Sequence, residues 1–191
     1  MRIIEPSVEI IEHGETLDDL LRHIESCGRV CYKSEAKIKT GSAEKFVGGL
    51  IRRGHEAVLE HGTLIVAAVK YVYEDMKHYA DAMSSNYQPC YLRFTSEYNG
   101  LNIISGNVRA WRDYIKYMLT RTPILPIYLY NFLCTNAFLF PEVECDSAKF
   151  WGRFEENSLF QIHESDLKTE REILTHKNIT VKFIGDRVVT H

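Results

Sequence analysis

Apolar residues recur at Leu17, Leu20, Leu21 and Ile24, the spacing of one helix face. Thr16 stands just before them and Asp19 three residues further on, so a helix beginning here has an N-cap and a capping partner. Gly28 is expected to interrupt this helix, with Val30, Cys31 and Tyr32 extending or closing it. Upstream, residues 2–12 read as a short strand, or two, broken by Pro6. Residues 33–41 are polar and read as a loop. Ser42 is placed to cap a second helix whose apolar face is Phe46, Val47, Leu50 and Ile51. Arg52 and Arg53 fall in its last turn, where cations suit the helix dipole, and Gly54 is a natural stop.

Residues 63–73 begin strand-like and then become ambiguous, and 74–85 are polar enough for an exposed helix. Tyr91–Tyr98 and Leu101–Ser105 flank Asn99-Gly100, a strong hairpin signal that predicts antiparallel pairing across a two-residue turn. Asn107 can cap a helix running through Thr120, with Trp111, Ile115, Met118 and Leu119 on one side. Pro126 suits the first turn of a following helix that carries Leu129, Phe132 and Leu133. Another helix is expected around Ser147–Phe154. Near the end, Ile179, Val181 and Phe183 alternate with Thr180 and Lys182, the period of a half-buried strand.

A chain of 191 residues, 45% hydrophobic and 12% aromatic, can build one core, or a small domain plus an insertion. The formal net charge of −3 gives no footprint for nucleic acid or for an anionic membrane. No apolar run approaches the ~20 residues of a membrane span. The first residues lack a secretion signal, so a cytoplasmic location is the default expectation. The cysteines Cys27, Cys31, Cys90, Cys134 and Cys145 are odd in number and lack paired short spacings, which predicts buried free thiols. Cys27 and Cys31 could share a helix face, yet a metal site there needs two more ligands, and none is evident.

His55, Glu56, Glu60 and His61 form the densest cluster with catalytic potential. Zinc motifs on helices place two histidines four residues apart, on one face. His55 and His61 are six apart. At ~100° per residue they stand ~240° around the axis from each other, so no metal site is predicted. On physical grounds alone His55 follows the Gly54 stop and bonds the loop backbone, while Glu60 and His61 begin a strand.

Gly54-His-Glu-Ala-Val-Leu-Glu-His61 resembles a recurring segment of flavin-dependent thymidylate synthases. Gly28-Arg-Val-Cys-Tyr-Lys-Ser34 and Ser42-Ala-Glu-Lys-Phe46 resemble the family's first helices. Asn178-Ile-Thr-Val-Lys-Phe-Ile-Gly-Asp-Arg-Val-Val-Thr-His191 resembles the strand that leads into the family's Arg-His-Arg-x-x-Ser motif. The resemblance covers about two-fifths of the chain. Leu59-Glu60-His61 and Leu174-Thr175-His176 are near-matching triplets, and lifting out the residues between them restores an uninterrupted family-like sequence. The expected organisation is therefore a family-like core of 1–61 and 177–191, with 62–176 as an inserted subdomain. The implied fold class is α+β: a mixed sheet with flanking helices, plus an inserted α/β subdomain.

The resemblance implies FAD as cofactor, dUMP as substrate, methylenetetrahydrofolate as one-carbon donor, NADPH as reductant and a homotetramer as the assembly. His55 matches the family histidine near the flavin, and Ala57 matches a position that contacts FAD. Glu60 and His61 match positions that look structural. Ser105-Gly-Asn-Val-Arg-Ala-Trp-Arg112 resembles the family's Asn-x-Arg flavin-binding helix, although it lies ahead of the strand instead of after the Arg-His-Arg motif. Asn107 and Arg109 are thus either flavin or nucleotide contacts, or an N-cap and a surface arginine. Because the catalytic motif would fall just past His191, the chain is expected to be a truncated, inactive portion that binds FAD weakly or not at all. Two alternatives stand beside this: a non-catalytic interaction module or degenerate fragment, and a small metal-dependent hydrolase using His55 and His61.

Overall fold

The computed structural model describes residues 7–11, 14–86, 88–96, 102–152, 158–177 and 179–184. The fold is α+β. Its centre is a four-stranded antiparallel sheet in the order β3 (Arg93–Ser96), β4 (Asn102–Asn107), β2 (Thr63–Ala68), β7 (Leu159–Ile162). Strand β1 (Ser7–Ile11) pairs antiparallel with β8 (Thr180–Ile184) in a separate ribbon. The terminal alternation thus forms a strand that meets the N-terminal segment. A two-residue parallel pair, β5 (Leu125–Pro126) with β6 (Phe150–Trp151), completes the sheets.

Alternation decides what each face of the central sheet meets. Leu64, Val66, Ala68, Ile104 and Leu159 join the main hydrophobic cluster. Ile65 and Ile103 point the other way, onto Leu167 and Ile162. The main cluster is filled by α1 (Leu17–Cys31), α2 (Ser42–Arg52), α3 (Lys70–Ser85), α4 (Val108–Arg121) and α5 (Tyr130–Thr135). The short helix α6 (Glu170–His176) lies on the other face, near β3 and β4.

Helix α1 begins as its sequence predicts. Thr16 accepts from the Asp19 amide at 3.1 Å and Asp19 returns a bond to the Thr16 amide, a complete capping box. Gly28 does not interrupt the helix, which runs on to Cys31. A Cβ there would lie 2.8 Å from both Phe46 and Val58, so the glycine serves close approach instead. Helix α2 starts at Ser42 with Gly41 as its cap, not Ser42. Ser42 Oγ is engaged elsewhere, donating to Glu25 Oε2 at 2.8 Å and so tying α2 to a buried carboxylate of α1. Gly54 does stop α2. At φ +69° it lets its own amide reach Ile51 O at 3.1 Å and the His55 amide reach Leu50 O at 3.0 Å, the paired bonds of a Schellman ending.

Several expectations fail for local reasons. Helix α3 starts at Lys70, earlier than the polar stretch suggests, and buries Val72, Tyr73, Met76, Ala80 and Met83. Pro126 is extended, with ψ 139°, because it pairs with Trp151, and the chain turns helical only after it. Of the expected helix around Ser147–Phe154, the described residues 147–152 hold a 3-10 turn at Ser147–Lys149 and an extended Phe150–Trp151 that completes that pair. Glu60 and His61 belong to a 3-10 turn, Glu56–His61, and do not begin a strand. Cys31 and Cys145 are exposed, contrary to the buried-thiol expectation, while Cys27, Cys90 and Cys134 are half-buried. The segment 62–176 does not close a core of its own: Leu21, Ile24, Val47 and Leu50 lie in one cluster with Leu64, Trp111, Ile115 and Phe140.

β3 and β4 pair antiparallel as the hairpin signal predicts, but in a different register. Ser96 faces Asn102 and Thr95 faces Ile103, whereas a two-residue Asn99-Gly100 loop needs Tyr98 opposite Leu101, one residue out of step. The turn itself lies outside the described residues. A slip of one position exchanges the faces of a strand. The observed register places Phe94 and Ile104 together on the main-cluster side.

Candidate functional site

The Schellman ending of α2 delivers His55 straight into the Glu56–His61 turn, which packs against α4. Helix α4 starts on the same side because β4 runs directly into it. Asn107 is the last residue of β4 and the N-cap of α4, accepting from the Ala110 amide at 2.8 Å. Two segments about fifty residues apart thus form one cleft. His55, Ala57, Arg109 and Asp113 line a cavity of about 470 Å³. Arg109 and Asp113 also line a neighbouring one of about 580 Å³, together with His61, Arg93, Ser105 and Asn107.

The electrostatics of the cleft are set by four carboxylates and three cations. Arg109 reaches Glu60 at 2.6 Å and Asp113 at 3.7 Å, and the hydrogen bond it donates to Glu60 holds its charge more firmly. Deeper in, Arg112 is 3% exposed. It meets Glu56 and Glu142, each at 3.2 Å, and donates to the Leu139 carbonyl. Lys116 also donates to Glu56, at 2.8 Å. Burial pushes the Glu56 carboxyl up, but the Lys116 hydrogen bond and the Arg112 and Lys116 charges outweigh it and leave its pKa lowered. Asp113 moves the other way, raised by burial and by the Glu56 charge despite its cationic neighbours.

The four sequence-derived site residues divide by role. His55 and Ala57 face the cleft with Arg109. Asn107 lines the adjoining cavity, and its side-chain oxygen caps α4. Arg109 is partly exposed and paired with Glu60. His55 and His61 open into different cavities. No group of three or more His, Cys, Asp or Glu side chains suited to a metal occurs among the described residues.

The sequence reading missed two features near the cleft. Arg112 is a buried hub, and the helix pattern of α4 gives no sign of it. Ser105 Oγ and His176 Nδ1 lie 2.7 Å apart, both buried, joining β4 to α6. His176 Nε2 has no partner among the described residues. Burial and the nearby Arg93 charge lower the His176 pKa to about 4, against an opposing pull from Glu172. No protein-family model, curated protein or solved structure matches the chain.

Proposed function

We propose that this chain carries the flavin-nucleotide-facing part of a flavin-dependent thymidylate synthase. The reaction is dUMP to dTMP, with FAD as cofactor, methylenetetrahydrofolate as carbon donor and NADPH as reductant. The observation that carries the reading is the convergence of His55, Ala57 and Arg109 on one cleft. They come from the two segments, 54–61 and 105–112, that resemble the family's flavin contacts.

Magnitudes decide whether Arg109 can serve a phosphate. Its pair with Glu60 joins two side chains 45% and 48% exposed. Such surface pairs contribute about 0.2–1 kcal/mol. A charge-assisted bond to a phosphate oxygen contributes about 1.5–3 kcal/mol. Exchange of Glu60 for a pyrophosphate is therefore favourable. Arg112 is not free to do the same, since its buried partners hold it.

A specific observation favours a second reading, a non-catalytic module. Asn107 is spent on the helix cap and Glu56 on the Arg112–Lys116 cluster. The 191 residues also contain no Arg-His-Arg triplet. Under the proposal these residues by themselves retain FAD weakly and do not turn over. If three charged contacts are lacking, affinity falls by at least about a thousandfold relative to a complete site. The homo-oligomer has a surface available: Val8, Ile10 and Val181 are exposed on one face of the β1–β8 ribbon. Flavin absorbance after gel filtration and tritium release from labelled dUMP test the reading. A chain that shows no FAD affinity at any concentration supports the non-catalytic module.

A further inference from the structure

A second, separate cavity lies on the β7 side of β2, beside the same first residues, Thr63–Ile65, that pair with Ser105–Asn107 on the cleft side. Asn136 follows α5 and is 1% exposed. Its Nδ2 donates to the Phe132 carbonyl at 2.8 Å and to Gln161 Oε1 at 2.9 Å. A backbone carbonyl only accepts, so the atom facing Phe132 O must be the nitrogen, and Gln161 must then present its oxygen to Asn136. Both carboxamides are oriented by this chain of bonds. Asn136 Oδ1 and Gln161 Nε2 are left over, one acceptor and one donor, with no partner among the described residues. Both residues line a cavity of about 290 Å³, which shares no lining residue with the cleft at Arg109.

The surroundings narrow the ligand. Leu20, Leu64 and Ile162 supply apolar wall. Glu15, Asp19 and Glu164 stand around the cavity with one opposing Lys177, so an anion is disfavoured. The volume sits at the bottom of the roughly 300–1,000 Å³ range of small-molecule pockets, which suits one ring and excludes a dinucleotide.

We propose that this cavity binds a small neutral cyclic amide, whose N–H donates to Asn136 Oδ1 while its C=O accepts from Gln161 Nε2. The probe is δ-valerolactam, which has that edge, and the control is N-methyl-δ-valerolactam, which has lost the N–H. In 1H–15N spectra of the wild-type chain, δ-valerolactam shifts the Asn136 and Gln161 side-chain amide signals saturably, and the N-methyl compound does not. Gln161→Glu keeps the oxygen that accepts from Asn136 and removes the donor, and it weakens the lactam by about threefold to tenfold, as one neutral hydrogen bond requires. No saturable shift with δ-valerolactam, or equal shifts with both compounds, overturns the proposal. The comparison of the two compounds needs no variant, so a Gln161→Glu chain that fails to fold leaves the test intact. A folded Gln161→Glu chain that binds the lactam as the wild type does also overturns it.

Discussion

Acid should weaken this fold before its carboxylates are protonated, and His176 is the reason. Its imidazole is 0% exposed, bonds among the described residues only with Ser105, and has a folded pKa of about 4 against 6.5 for the free group. A lowered histidine pKa means that the unfolded chain binds a proton at pH values where the folded chain does not. Stability then rises with pH across that interval and is lost on acidification. The difference, 6.5 − 4 = 2.5, at 1.36 kcal/mol per unit gives about 3 kcal/mol, present in full above pH 6.5 and lost progressively toward pH 4. Glu56, whose pKa is lowered, adds its own loss only below about 4.5, and Asp113, raised, acts in the opposite sense. Between 6.5 and 4.5 the Glu56 loss has not begun and Asp113 can only oppose a fall, so a loss of stability there belongs to the histidine. Urea unfolding at constant ionic strength, repeated across that interval, should show a falling midpoint. His176→Gln, which keeps a polar group facing Ser105, should flatten it. A wild-type midpoint that stays level from pH 6.5 to 4.5, or an equal slope in His176→Gln, refutes the reasoning.

Two further substitutions probe the frame of the site. Arg112→Ala leaves Glu56 and Glu142 without their buried partner, and the expected loss is about 3–5 kcal/mol in chemical unfolding; a loss below 1 kcal/mol would show that the cluster is not under tension from desolvation. Thr16→Ala removes the α1 capping box and should cost about 1 kcal/mol, read as a shift in the urea midpoint with an unchanged slope.

Local signals were legible where the chain's own chemistry settles the answer. The Thr16–Asp19 box, the Gly54 ending and the Asn107 cap each involve residues within a few positions of one another, and each occurs as its residue types predict. Long-range packing was not legible. Gly28 reads as a helix breaker until Phe46 and Val58 are seen against it. Pro126 reads as a helix start until Trp151 draws it into an extended pair. The hairpin was found and its register missed, because a turn dipeptide does not reveal which face the core will claim. The division at residues 61 and 176 fails for the same reason: Leu21 and Leu50 belong to the same buried cluster as Trp111, and sequence similarity does not show where apolar faces meet. Of the candidate site, His55, Ala57, Asn107 and Arg109 were marked by the resemblance of their segments to a known family. Arg112 and His176 were not, since burial alone gives them their roles.

The proposed flavin-facing cleft is tested most directly by titrating FAD into the 15N-labelled chain while following backbone amides. The account predicts weak, saturable shifts concentrated at residues 54–61 and 107–113, and at least a tenfold loss of affinity in Arg109→Glu, the equivalent of one charged contact. Saturable binding that leaves those residues unmoved, or binding that Arg109→Glu does not change, contradicts it.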